Sequence, residues 1–131
     1  MRTHIDVAAA MPVEPSAAWR LLTDTRTWPS WGPSIRAVTL DSPDDGPVIA
    51  PGTTGTVRTV VGMTLPFRIL EVDLVARWTW RVAGVPATGH RVEPHPDGCR
   101  VVFEVPILAT PYAAVCQVAL RRIERLLVAD A

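Results

Sequence analysis

The sequence predicts an α+β fold in which a curved seven-stranded antiparallel sheet wraps around a long C-terminal helix, with two short helices between strands 1 and 2. Three observations carry this. Between positions 35 and 105 the apolar residues come in short stretches broken by Gly, Pro and Asp, the punctuation of antiparallel strands. Past Thr110 an apolar stripe at helical spacing runs on to Leu127. No strand–helix–strand rhythm and no internal repeat occurs, so a parallel sheet is not expected.

The first strand runs from Thr3 to Ala9, with Ile5 and Val7 on one face and His4 and Asp6 on the other. Pro15-Ser16 opens a helix in which Ala17, Ala18, Trp19, Leu21 and Leu22 supply helix formers and an apolar stripe to about Asp24. From Thr25 to Pro33 two prolines and a glycine limit the chain to an aromatic elbow with about one turn of helix. Six strands follow, at Ile35 to Leu40, Gly55 to Val61, Leu65 to Val75, Trp78 to Val82, His90 to Glu93 and Cys99 to Val105. Pro96-Asp97-Gly98 reads as the turn of a tight hairpin, since glycine supplies a positive φ. Ser42 to Pro51 is the longest irregular stretch and the candidate mobile loop. Thr110-Pro111 starts the last helix, which carries Ala113, Val115, Cys116, Ala119, Leu120, Ile123, Leu126 and Leu127 on its apolar side and Arg121, Arg122 and Arg125 toward solvent. Only this helix has enough apolar surface to cover so long a sheet. A twisted sheet bent around one helix is not filled completely near its open end, so a cavity follows.

The 131 residues suit one domain, 1–131, and folding at this length buries roughly two-thirds of the unfolded surface. Hydrophobic residues make up 48% of the chain, yet no apolar run approaches the roughly 20 residues that cross a bilayer. The N-terminal Met1-Arg2-Thr3-His4-Ile5-Asp6 places charge where a secretion signal needs an apolar stretch, and the expected location is cytoplasmic. Thirteen basic and thirteen acidic residues cancel and are scattered. They leave no footprint for nucleic acid or an anionic membrane, and neither is expected as a partner. Every basic residue is Arg, so lysine Schiff-base chemistry is closed to this chain. Cys99 and Cys116 are isolated, without metal-ligand or redox spacing, and read as buried free thiols.

Three stretches, PSAAWRLLTDTRTWPSW (Pro15 to Trp31), RILEVDLVARWTWRV (Arg68 to Val82) and GHRVEPHPDGCRVVFEVP (Gly89 to Pro106), together with the element order, resemble the START-like or SRPBCC superfamily. Its members have the Bet v 1-like helix-grip fold, and the similarity is greatest to its bacterial polyketide cyclase/dehydrase-type members. None of these stretches is a catalytic signature. The resemblance implies the grip fold and an internal cavity for an apolar, aromatic or polyketide- or lipid-like molecule, and it covers cyclases, dehydratases, lipid carriers and receptors alike.

Five tryptophans are present, four of them in the pairs Trp28/Trp31 and Trp78/Trp80. Strand alternation puts Trp78, Trp80 and Val82 on the concave face, where they fill core or wall a pocket. The resemblance implies that the elbow with Trp28 and Trp31 borders the cavity, offering a flat apolar wall with an N–H donor. Phe103 and Cys116 complete the expected ligand-binding set.

His90 is the histidine expected to point inward. It is either a hydrogen-bonded structural residue or an acid–base group, since an imidazole with a pKa of about 6.5 can take a proton from carbon and return it to a departing hydroxyl. Glu71, Asp73 and Glu104 alternate outward. A bulge would turn Glu71 into the cavity, where burial would raise its pKa and suit it to acid catalysis. Tyr112 lies, by the resemblance, near the pocket mouth, where its hydroxyl orients a carbonyl or caps the pocket. Arg58, Arg68 and Arg91 read as outer-face charges. Gly52-Thr53-Thr54-Gly55 lacks the Lys and the helix of a phosphate loop, and no nucleophile motif or metal set appears, so a cofactor-independent protein is expected. Three functions remain: a module that binds an apolar small molecule, as a monomer or weak homodimer; a cyclase/dehydratase using His90 with Tyr112 or Glu71; or a structural or regulatory partner with an unfilled core.

Overall fold

The computed structural model describes residues 3–129, so Met1 and Arg2 of the N-terminal stretch lie outside the described residues. In chain order the elements are β1 (His4–Met11), α1 (Pro15–Thr23), α2 (Trp28–Trp31), β2 (Ile35–Leu40), β3 (Thr54–Thr59), β4 (Thr64–Asp73), β5 (Arg77–Val82), β6 (Val85–Pro86), β7 (Gly89–His95), β8 (Gly98–Pro106) and α3 (Ala113–Ala129). Short 3-10 turns occupy Thr25–Thr27, Pro43–Asp45 and Ile107–Tyr112. The sheet is antiparallel, in the order β1-β8-β7-β5-β4-β3-β2. α3 lies in its concavity with Cys116, Ala119, Leu120, Ile123 and Leu127 buried, at i, i+3, i+4, i+7 and i+11 as one helical face requires.

The sheet has eight strands where seven were expected, because β6 folds back on the end of β5. Ala83 and Gly84 both have positive φ, 52° and 76°, which matches the twist of a two-residue hairpin and pairs Val82 with Val85. Pro86 then ends the ladder. β5 pairs β7 only through Arg77–Arg91 and Trp78–His90. Beyond Trp78 the ladder passes to β6 and the residue after it: Arg81 pairs with Pro86, and the Ala87 N–H donates to the Trp80 carbonyl (3.1 Å).

Gly98 sits at the tight hairpin between β7 and β8 with φ 141°. A Cβ there would lie 2.5 Å from the Met11 carbonyl oxygen, so glycine is needed for close approach as well as for the turn.

Two local expectations are corrected. The 42–51 loop is pinned: Thr25 donates to the Pro47 carbonyl through both its N–H (3.0 Å) and its hydroxyl (2.6 Å), and the buried Ile49 donates its N–H to the Thr23 carbonyl. The last α-helix begins at Ala113, not at Thr110-Pro111, since a 3-10 segment with non-helical Ala109 precedes it. Pro111 disfavours α geometry in the residue before it. Among the described residues no helix is long and apolar enough to cross a membrane.

Candidate functional site

The elbow is built by its polar residues. Asp24 accepts from the Arg26 N–H (3.0 Å), and the Thr27 hydroxyl donates to the Leu21 carbonyl (2.6 Å), so the short helix that follows turns both of its tryptophans inward. Trp28 donates its indole N–H to the Leu22 carbonyl (2.9 Å), and Trp31 donates to the Thr27 hydroxyl (3.2 Å). Both rings are therefore satisfied in the interior.

Trp28 then stacks on Trp78, with ring centroids 5.3 Å apart and planes within 1°, and Trp78 stacks on His90 at 3.7 Å and 11°. Trp80 meets Trp28 and Trp78 edge-on at 5.3 and 5.6 Å. Phe67 fills the angle between Trp28 and Trp80, 5.7 Å from each, and Phe103 lies 5.2 Å from His90 and 5.9 Å from Trp31. The free volume bordered by Trp28, Trp31, Trp78, His90, Phe103 and Cys116 is about 30 Å³, room for a water molecule or two. Thus the aromatic side chains themselves occupy most of the space assigned to a ligand in the sequence reading. Their volume is the reason: two strand tryptophans and two elbow tryptophans converge from opposite walls of a narrow grip.

Free space lies beside this cluster, at the end of the grip where β5 pairs with β6. A cleft of about 350 Å³ opens between β2, β3, β4, the β5–β6 turn and the segment leading into α3, at the lower end of the roughly 300–1,000 Å³ typical of small-molecule sites. Val57, Leu65, Val82, Val85 and Ile35 line its walls, and the edge of Trp80 forms part of its floor. No Asp, Glu, Arg or His lines it. Its polar groups are hydroxyls: Ser34 and Tyr112, joined by a 2.6 Å hydrogen bond, Thr59, and Thr88. Thr88 accepts from the Trp80 indole N–H (3.3 Å) and lies 3.2 Å from His90 Nε2, linking cleft and aromatic cluster.

The candidate acid–base groups fall in three places. His90 faces inward but is sealed, 3% exposed. Burial pushes its pKa down to about 3, against smaller raising effects of the Trp78 main chain and the Glu104 charge, so it is neutral near pH 7 and a weak base. Its Nδ1 and the Trp78 indole N–H are buried without a hydrogen-bond partner. Tyr112 stands at the cleft, and burial raises its pKa in spite of the Ser34 hydrogen bond, so its hydroxyl keeps its proton and can donate or accept. Cys116 borders the small void, its thiol pushed up to about 11 by burial.

Glu71 is corrected in position. β4 does carry a bulge between Ile69 and Val72, yet the extra residue leaves Leu70 and Glu71 both outward, and Glu71 pairs with Arg77 at 3.2 Å on the outer face. Glu104, read as solvated, is 6% exposed on that same face. Arg77 reaches it at 2.8 Å and Arg91 at 2.7 Å. Desolvation alone would raise its pKa, but the hydrogen bonds and charges of the two arginines outweigh that and hold it at about 2. Among the described residues no three His, Cys, Asp or Glu side chains gather as metal ligands.

Sequence reasoning missed the cleft walls, Phe67 and Thr88. The Leu65 and Val57 alternation was visible, but nothing local announces that Val85 to Thr88, between β5 and β7, form one wall of the cleft.

An antiparallel sheet gripping one long helix defines the helix-grip class of folds. The profile of the family described as polyketide cyclase/dehydrase and lipid transport matches residues 2–127, and the chain belongs to that family. No curated protein matches. Among solved structures, protein MLL2253 from Mesorhizobium loti is 15% identical, with 98% of each chain covered and a TM-score of 0.76. Protein NE0264 from Nitrosomonas europaea is 18% identical, with 98% of this chain and 96% of that chain covered and a TM-score of 0.72. XoxI from Bacillus cereus is 13% identical, with 97% and 96% covered and a TM-score of 0.70. At these identities the likeness is one of fold.

Proposed function

We propose that the protein binds an uncharged, largely apolar small molecule with one or two oxygen functions, of the aromatic, polyketide or lipid-like kind, in the cleft, and holds or delivers it. The observation that carries this is the cleft itself: about 350 Å³, walled by aliphatic side chains and Trp80, with only hydroxyls as polar groups. A charged ligand would lose its hydration there without a countercharge. A ligand carbonyl or hydroxyl suits the Ser34–Tyr112 pair or Thr88.

The family description also names cyclases and dehydrases. A proton-transfer reaction in the cleft would have to run through Tyr112, because His90 sits behind Thr88 with a pKa of about 3. Catalysis is therefore the second reading. The test is calorimetric titration with a panel of aromatic polyketides, sterols and fatty acids. Ala109→Trp, at an exposed position lining the cleft, should weaken the best ligand at least tenfold without moving the unfolding midpoint, whereas His90→Gln should change its affinity little. Absence of any ligand overturns the proposal, and so does one whose affinity Ala109→Trp leaves unchanged. A panel member that is turned over, with turnover lost in Tyr112→Phe, selects the catalytic reading.

A further inference from the structure

We propose that the open end of the fold, around the cleft mouth, docks on an anionic lipid surface. The chain as a whole is neutral, but this end is not. Four segments meet there, residues 32–36, 57–66, 81–88 and 106–113: Ser34, Thr59, Leu65, Val85, Thr88, Pro106 and Tyr112 all line the one cleft, and the Val60 N–H donates to the Ser34 carbonyl (3.1 Å). None of these segments contains an Asp or Glu, while three arginines, Arg36, Arg58 and Arg81, fall within them. All three arginines are exposed, and none forms an ion pair among the described residues. Other arginines, among them Arg68 and Arg121, also form no ion pair among the described residues, so what sets this end apart is that its segments hold no acid beside the cations.

The same segments carry an apolar fringe. Val60, Val61 and Met63 form the tip of the β3–β4 hairpin, Val85 stands at the β5–β6 turn, and Ile107 and Leu108 lead out of β8. Leu108 is fully exposed and Val61 is 78% exposed. These side chains stand on three separate tips. The side chains on the tips are non-aromatic; the one ring at this end, Tyr112, stands at the cleft mouth with its hydroxyl bonded to Ser34. Aliphatic tips flanked by unpaired cations are the pattern that inserts at a bilayer boundary while the cations meet anionic headgroups. The cleft opens between the tips, so docking would put its mouth against the lipid. The surface exists whatever fills the cleft, and the assay needs no ligand.

The test is flotation of the purified protein with vesicles of phosphatidylcholine, alone or mixed with phosphatidylglycerol. The protein should float with the mixed vesicles, and less as salt is raised. Leu108→Asp should lower partitioning by about tenfold or more, the change expected when one exposed leucine no longer gains burial. Changing Arg36, Arg58 and Arg81 together to Gln should lower it by roughly fivefold for each arginine. All four positions are exposed, and an unchanged far-UV spectrum confirms folding. The proposal is overturned if wild type does not float with anionic vesicles, or if the variants float as well as wild type. It is also overturned if size-exclusion chromatography shows a wild-type dimer that Leu108→Asp makes monomeric, because the occupant is then a second copy.

Discussion

Burial sets the protonation of His90. Stacked at 3.7 Å on Trp78 and 3% exposed, it titrates near 3, against its ordinary 6.5. The unfolded chain therefore binds a proton that the folded chain refuses between those two values. Stability from this group is full above pH 6.5 and is lost as pH falls toward 3, at up to about 1.4 kcal/mol per pH unit. Urea titrations across that window should show this slope in wild type and a shallower one in His90→Gln. Parallel slopes would mean that the imidazole is solvated in the folded protein. The inward direction of both strand tryptophans was legible from alternation, whereas that of His90 held only if the alternation ran on through Val92, as it does in the structure. The pKa of His90 was not legible, because that depends on Trp28, Trp31 and Phe103 closing over it from other elements.

At the scale of elements, two outer-face arginines hold β5, β7 and β8 together where the ladder between β5 and β7 is shortest. Glu104 takes Arg77 and Arg91 at once, opposite Gly89, where a Cβ would lie 2.4 Å from the carboxylate. Glu104→Ala leaves both guanidinium groups without their buried partner and should cost on the order of 3 kcal/mol, read from the urea midpoint at neutral pH. The difference should shrink as pH falls from 4.5 toward 2, where the native carboxylate itself takes up a proton. A cost below about 0.5 kcal/mol would place the pair in the class of solvated surface bridges. The strands, both N-terminal helices and the covering helix were readable from periodicity and from Gly and Pro. β6 was not, since a two-residue strand ending in Pro carries no period. Neither was the pinning of the 42–51 loop, which rests on single hydrogen bonds to Thr23 and Thr25. Only a bulge in β4 could turn Glu71 inward; the bulge that forms leaves it outside.

The whole molecule divides into a sealed aromatic core, an apolar cleft beside it and a fringe of exposed aliphatic side chains around the cleft mouth. The order of elements predicts a cavity under the grip. Its position was not legible, because the four clustered tryptophans look equally suited to lining a pocket or filling one. The packing fills it, leaving about 30 Å³ among them and about 350 Å³ in the cleft. Charge balance over the chain likewise hid the acid-free end, which only assembles when four distant segments meet. The indole N–H resonances separate these regions, because Trp80 borders the cleft through Thr88 while Trp28 and Trp78 lie in the sealed stack. Titrating a binding ligand into ¹⁵N-labelled protein should move the Trp80 indole signal most and leave those of Trp28 and Trp78 nearly in place. A ligand that shifts Trp28 and Trp78 more than Trp80 would contradict the account, for it would show that the aromatic core opens and is itself the binding site.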